Sequence, residues 1–93
     1  MGSGRRTIPA QMPRKLEKIR LELGFNLEEM INLLDKTLHS FGYTNIKIYR
    51  SHILEFEKGK REPQIPVLLA YARIGQVSVD ILIDNELDLS ERD

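Results

Sequence analysis

Residues 49–63, YRSHILEFEKGKREP, hold the side chains with the most chemistry in this chain. Ile53 and Phe56 lie three apart and share one face of a helix, which leaves Arg50, Ser51, His52 and Glu55 to point elsewhere. A hydrophobic core uses only the apolar face. The polar set is therefore either a solvated surface or a reading surface. Lys58, Lys60 and Arg61 follow it directly and add three positive charges. The chemistry on offer is hydrogen bonding and attraction of phosphate.

Catalysis and metal binding find no comparable support. There is no cysteine, hence neither a disulfide nor a thiolate metal site, and only two histidines, His39 and His52, with no ligand cluster around them. No glycine-rich phosphate cradle and no Ser, His and Asp set with a readable architecture occurs. Glu28 and Glu29 are adjacent and diverge on a helix, which is the wrong arrangement for acid/base work. A domain this small scarcely has room for an enzyme's pocket. The expectation is a non-enzyme with no cofactor, no metal and no small-molecule substrate.

Length and charge narrow the class further. Ninety-three residues make one hydrophobic core. The longest apolar runs, such as VLLAYA, fall far short of the roughly 20 residues a bilayer span needs, and no signal segment opens the chain. These features predict a soluble, cytoplasmic protein with no membrane partner. The formal net charge is zero, but it is unevenly divided. Residues 1–61 carry 12 Lys or Arg against 7 Asp or Glu, and residues 62–93 carry 2 against 7. The positive half contains the polar helix, so phosphate affinity should be modest and salt-sensitive.

The elements that must position this helix read as follows. Residues 1–13 combine Gly2, Gly4, Pro9 and Pro13 with Arg5 and Arg6 and predict a flexible basic arm. Residues 1–4 resemble a tag remnant and carry no weight. In RKLEKIRLELG, Leu16, Ile19 and Leu23 follow helical spacing up to Gly24. Asn26 and Glu29 form a capping-box pair, so a second helix starts at about Leu27. Leu27, Ile31, Leu34, Leu38 and Phe41 keep alternating steps of four and three, which allows that helix to run through His39 to a stop at Gly42. GYTNIKI reads as a loop or a short extended piece. The third helix starts near Tyr49 or Arg50 and ends before Gly59. Pro66 suits the first turn of a fourth helix with Leu68, Leu69 and Ala72 inward, closed by Gly75. Ser78 caps a short fifth helix, VDILID.

Taken in order, LEKIRLELGFNLEEM, ILEFEKGKREP and LLAYARIGQVSVDILID resemble the DNA-binding domain of the lambda-repressor and Cro-like (XRE-type) helix-turn-helix regulators. The resemblance covers residues 14–84 and implies an all-α, five-helix fold whose helix-turn-helix has an enlarged turn. It further implies a homodimeric transcriptional regulator that places a recognition helix, about residues 50–58, in the major groove of double-stranded DNA. Arg50, Ser51 and Glu55, with His52 beside them, occupy its base-reading positions, since arginine pairs with guanine and glutamate accepts from cytosine. Leu54 is a further outward residue. Lys58, Lys60, Arg61, Asn26 and Lys47 are implied phosphate contacts. Arg5 and Arg6 on the arm would enter the minor groove. Arg20 and Glu57 fall where the family places a structural ion pair, and Ile53, Phe56, Leu69 and Leu82 where it places core.

Three positions depart from the family pattern. Leu27 replaces the glutamine that usually touches phosphate, Tyr49 stands where Ser or Thr would cap the third helix, and residues 35–48 lengthen the turn by about a dozen residues. Within that insertion, Leu38, Phe41, Tyr43 and Ile46 exceed what a solvent loop needs. They pack on the domain's own core or form a surface for a second copy or a partner. The alternative function is accordingly a protein-interaction module, antitoxin-like or adaptor, that uses the inserted segment and the acidic tail at residues 85–93.

Overall fold

In the computed structural model, which describes residues 8–91, helix ends follow local chemistry. α1 spans Met12–Glu22, α2 Leu27–Ser40, α3 Arg50–Glu57, α4 Ile65–Gly75 and α5 Val79–Ile83, with one 3-10 turn over Leu89–Glu91. No strand occurs among the described residues, so the class is all-α. At the start of α2 the Asn26 side chain accepts from the Glu29 amide at 2.8 Å, and the Asn26 amide donates to the Glu29 carboxylate at 2.9 Å. Two of the orphan amides at that helix end are thereby satisfied.

Glycine stops α2 and α3 in the same manner. Gly42 and Gly59 have φ of 93° and 74°, a left-handed turn that other residues enter only with strain. The turn lets the Tyr43 amide reach the Leu38 carbonyl at 3.0 Å and the Lys60 amide reach the Glu55 carbonyl at 2.9 Å. α4 ends differently from the expectation. Gln76, not Gly75, takes the left-handed turn, with φ of 58°. Gly75 is the last helical residue, and its smallness serves packing: a Cβ there would lie 2.8 Å from Ile19 Cδ1.

α4 packs against α1, α2 and α5, while α3 lies against α1 and α2. The core between them joins Leu16 and Ile19 of α1, Met30, Leu34 and Leu38 of α2, Ile53 and Phe56 of α3, Val67, Leu68 and Tyr71 of α4 and Leu82 of α5. Leu69, expected inside, is 41% exposed, and Leu68 takes the inward place instead. Leu38 is also a correction to the surface reading. It has no exposed area, because α2 runs on to Ser40 and carries it onto the core, where a buried leucine stabilises by about 1.5–3 kcal/mol.

The packed body is larger than residues 14–84. Met12 is buried, Ile8 and Leu87 are half-buried against the core, and Leu89 is buried within the acidic tail at residues 85–93. Polar contacts hold the two segments together. The Gln11 amide donates to Asn85 Oδ1 at 3.1 Å, and Arg14 pairs with Asp88 at 3.1 Å. A hydrogen bond from the Leu89 amide, then that from Arg14, keeps the Asp88 carboxyl below the usual carboxylate range. Between them Lys15, fully buried, donates to the Ile81 carbonyl at 2.7 Å and the Asp84 carbonyl at 2.9 Å. An ammonium at the carbonyl end of a short helix satisfies both partners at once.

Candidate nucleic-acid interface

α3 is eight residues long and gains little stability from its own hydrogen bonds. Its neighbours hold it. Ile53 and Phe56 point inward and are 0% and 4% exposed. On the same side Glu57 receives two hydrogen bonds from Arg20, at 2.7 and 2.9 Å, and Arg20 also donates to the Phe25 carbonyl at 2.9 Å. The pair is shielded, with side chains 14% and 5% exposed, and the Glu57 hydrogen bond raises the Arg20 pKa above its ordinary value. A forked, doubly bonded contact of this kind fixes orientation as well as distance. It ties α3 to α1 and to the turn before α2.

Tyr71, edge-on to Phe56, lies behind the same helix. Its hydroxyl is buried without a hydrogen-bond partner among the described residues. Burial, and then the nearby Glu57 carboxylate, push its pKa well above the usual tyrosine value.

The first turn of α3 is capped without a hydroxyl side chain. The Tyr49 amide donates to His52 Nδ1 at 3.2 Å, and the His52 amide donates to the Tyr49 carbonyl at 2.9 Å. The imidazole thus acts as the reciprocal half of a capping box, with Tyr49 edge-on to one side of it and Phe56 near-parallel on the other. His52 is half-buried in this stack and serves the helix end.

Arg50, Ser51 and Leu54 are exposed along the outer face of α3, with Lys58 exposed just past its end, and Glu55 is half-buried beside them. Two of these polar groups already have partners. Arg50 Nη1 lies 3.3 Å from Glu28 Oε2, with both side chains about two-thirds exposed (64% and 65%). Arg61 Nε lies 2.5 Å from Glu55 Oε1, and this hydrogen bond is the first cause of a Glu55 carboxyl below the usual range. Of these partners, Glu28 was not foreseen, because its contact spans 22 residues of sequence.

The phosphate candidates fall into groups around the same helix. Lys58 and Lys60 are exposed at its carboxyl end. Lys47, on the connection at 41–49, lines a small hollow with Arg61, His52 and Phe56 on one flank. Asn26 sits at the start of α2, where its side-chain oxygen is committed to the cap. Leu27 is half-buried against the core. Arg5 and Arg6 lie outside the described residues.

The inserted segment does not gather into one outer surface. Leu38 is core, Ile46 is packed on it, and Phe41 lies half-buried under Arg73, whose guanidinium carbon is 5.1 Å from the ring centroid. Of the four only Tyr43 is exposed, at 38%. Among the described residues no group of three or more His, Cys, Asp or Glu is placed to hold a metal ion, and no helix is long and apolar enough to cross a membrane. Comparison of the chain with protein-family models, with curated proteins and with solved structures finds no match to any of them.

Proposed function

We propose that this chain binds double-stranded DNA in a sequence-specific manner as a small, repressor-like transcriptional regulator, with α3 as its recognition helix. One observation carries the reading. A short helix is clamped from behind by the Arg20–Glu57 fork and by Ile53 and Phe56, while its outer face is left to Arg50, Ser51 and Leu54, with Lys58, Lys60 and Arg61 following. A purely structural helix has no need for such fixed orientation. A base reader does, because hydrogen bonds to base edges are lost when the helix rotates or shifts slightly.

Within this reading Arg50 and Ser51 meet base edges, Leu54 meets a thymine methyl, and Lys58, Lys60 and Lys47 neutralise phosphates. Arg50 and Glu55 must exchange their present partners, Glu28 and Arg61, for DNA. Both pairs are exposed, and such pairs hold weakly in water. His52 contributes by shaping the helix start.

Selection from a randomised duplex pool at two salt concentrations tests the proposal. Enrichment of a short two-fold-symmetric site is the expected result. Arg50→Ala should then relax preference at one position of that site, and Lys60→Ala should weaken all sequences alike and lower the salt slope by about one. Weak binding that salt erases, with no sequence enriched, would sink the regulator reading. A protein-interaction module on the same scaffold would take its place, favoured by the acidic Glu28 beside Arg50.

A further inference from the structure

The cap at the start of α3 is made by the Tyr49 amide and carbonyl together with the His52 imidazole, and it takes no hydrogen bond from the Tyr49 side chain. The phenol ring is left over. Tyr49 is 59% exposed, more open than any other tyrosine or phenylalanine among the described residues. It is also held in place. Its ring lies edge-on to His52 at 5.3 Å, His52 lies near-parallel to Phe56 at 6.4 Å, and Phe56 meets Tyr71 edge-on at 6.4 Å. Four rings thus run from the core, where Tyr71 is fully buried, to the surface directly before Arg50. A singly exposed aromatic residue is ordinary. One that is propped from behind by three other rings presents a fixed shape and has little freedom left to lose on contact.

We infer that Tyr49 is a specificity-determining residue whose ring reads the C5-methyl group of a thymine beside the base pair met by Arg50. This rests on the DNA-binding reading, in which the first residues of α3 meet base edges. In a stacked duplex the base faces are closed, and the major groove offers hydrogen-bonding edges with one apolar group, the thymine methyl. An aromatic ring entering there has that group to pack against. A phosphate would engage the phenol hydroxyl instead, and for phosphate the flanks of α3 already offer the exposed Lys47, Lys58 and Lys60, whose charge-assisted bonds are stronger than a neutral phenol's. Leu54 reads a different thymine. It lies five residues beyond Tyr49, about 7.5 Å along a helix axis, which is more than two base steps of about 3.4 Å.

Deoxyuridine lacks only this methyl and keeps every hydrogen-bonding group of thymine. Each thymine of the selected site is replaced by it in turn, and binding of the wild-type chain, Tyr49→Ala, Tyr49→Phe and Leu54→Ala is followed by fluorescence titration. One replacement should weaken the wild type about fourfold, the worth of one buried methyl group, and should cost Tyr49→Ala nothing. Tyr49→Phe should behave as the wild type, and Leu54→Ala should stay sensitive at that thymine. A wild-type chain indifferent to every replacement would overturn the inference. So would a penalty that persists in full in Tyr49→Ala, or a Tyr49→Phe as weak as Tyr49→Ala, which would mark a phosphate contact through the hydroxyl. These outcomes leave the DNA-binding reading standing, whereas a pool from which no site is selected sinks both.

Discussion

The two sides of α3 carry the same chemistry to different ends. On the inner side Arg20 and Glu57 are forked together, largely withdrawn from water, and supported by a third bond to the Phe25 carbonyl. On the outer side Arg50 meets Glu28 and Arg61 meets Glu55 through single contacts, with side chains between 38% and 65% exposed. Water competes for the outer pairs and scarcely reaches the inner one. The inner pair is therefore part of the scaffold, since removing one member strands the other, whereas the outer pairs can be traded for a ligand at little loss.

Glu57→Gln puts this contrast to its hardest test. It should lower the unfolding free energy by about 3 kcal/mol in a urea titration, because the Arg20 guanidinium stays largely withdrawn from water without its counter-charge. The double variant Arg20→Met with Glu57→Gln should lose less than the two single changes summed. Additive losses would show that the fork is no more than another surface pair.

Glu28→Gln should act on binding and leave stability nearly unchanged. It frees Arg50 and removes a negative charge beside it, so on the DNA-binding proposal affinity for a selected site should rise by up to about fivefold in a fluorescence titration. A fall in affinity would mean that Glu28 positions Arg50 rather than competing with DNA for it.

The smallest effect is expected at Glu55. Its pKa is lowered in the folded chain, so the pair with Arg61 contributes above the ordinary glutamate pKa and is lost as pH falls through the lowered value. Carboxyl NMR should place the Glu55 midpoint below the ordinary range and move it upward in Arg61→Ala, with no resolvable change in the unfolding midpoint. An unmoved midpoint would show that the pair does not form in solution.

What could be read from the sequence was local. The Asn26 and Glu29 cap, the left-handed stops at Gly42 and Gly59, and the inward Ile53 and Phe56 all depend on neighbours within a turn or two. Periodicity also placed Leu38 on the same face as Leu34. It could not say what would cover that face, and the answer was the molecule's own core. Leu69 shows the converse limit, because Leu68 and Leu69 are equally apolar and only the path of α4 over α1 and α2 decides which turns inward.

At the candidate interface, the positions of Arg50, Ser51 and Lys58 followed from helix phase. The contact between Arg50 and Glu28 did not, since it depends on the angle between two helices joined by nine residues of irregular chain. The capping role of His52 went unread for a related reason. Its imidazole has a local task, capping Tyr49, which a search for hydroxyl caps overlooks.

The burial of Lys15 bears on how the molecule comes apart. Its amine donates to carbonyls 66 and 69 residues away, at the end of α5. Peeling the C-terminal segment from α1 would strip this buried ammonium of both carbonyls, so neither element can open cheaply by itself. The stretch around Leu89, peripheral in sequence, therefore belongs to the same cooperative unit as Leu16 and Ile19. Its amides should exchange with solvent as slowly as those of the core, and a protease should find no early foothold between residues 84 and 89.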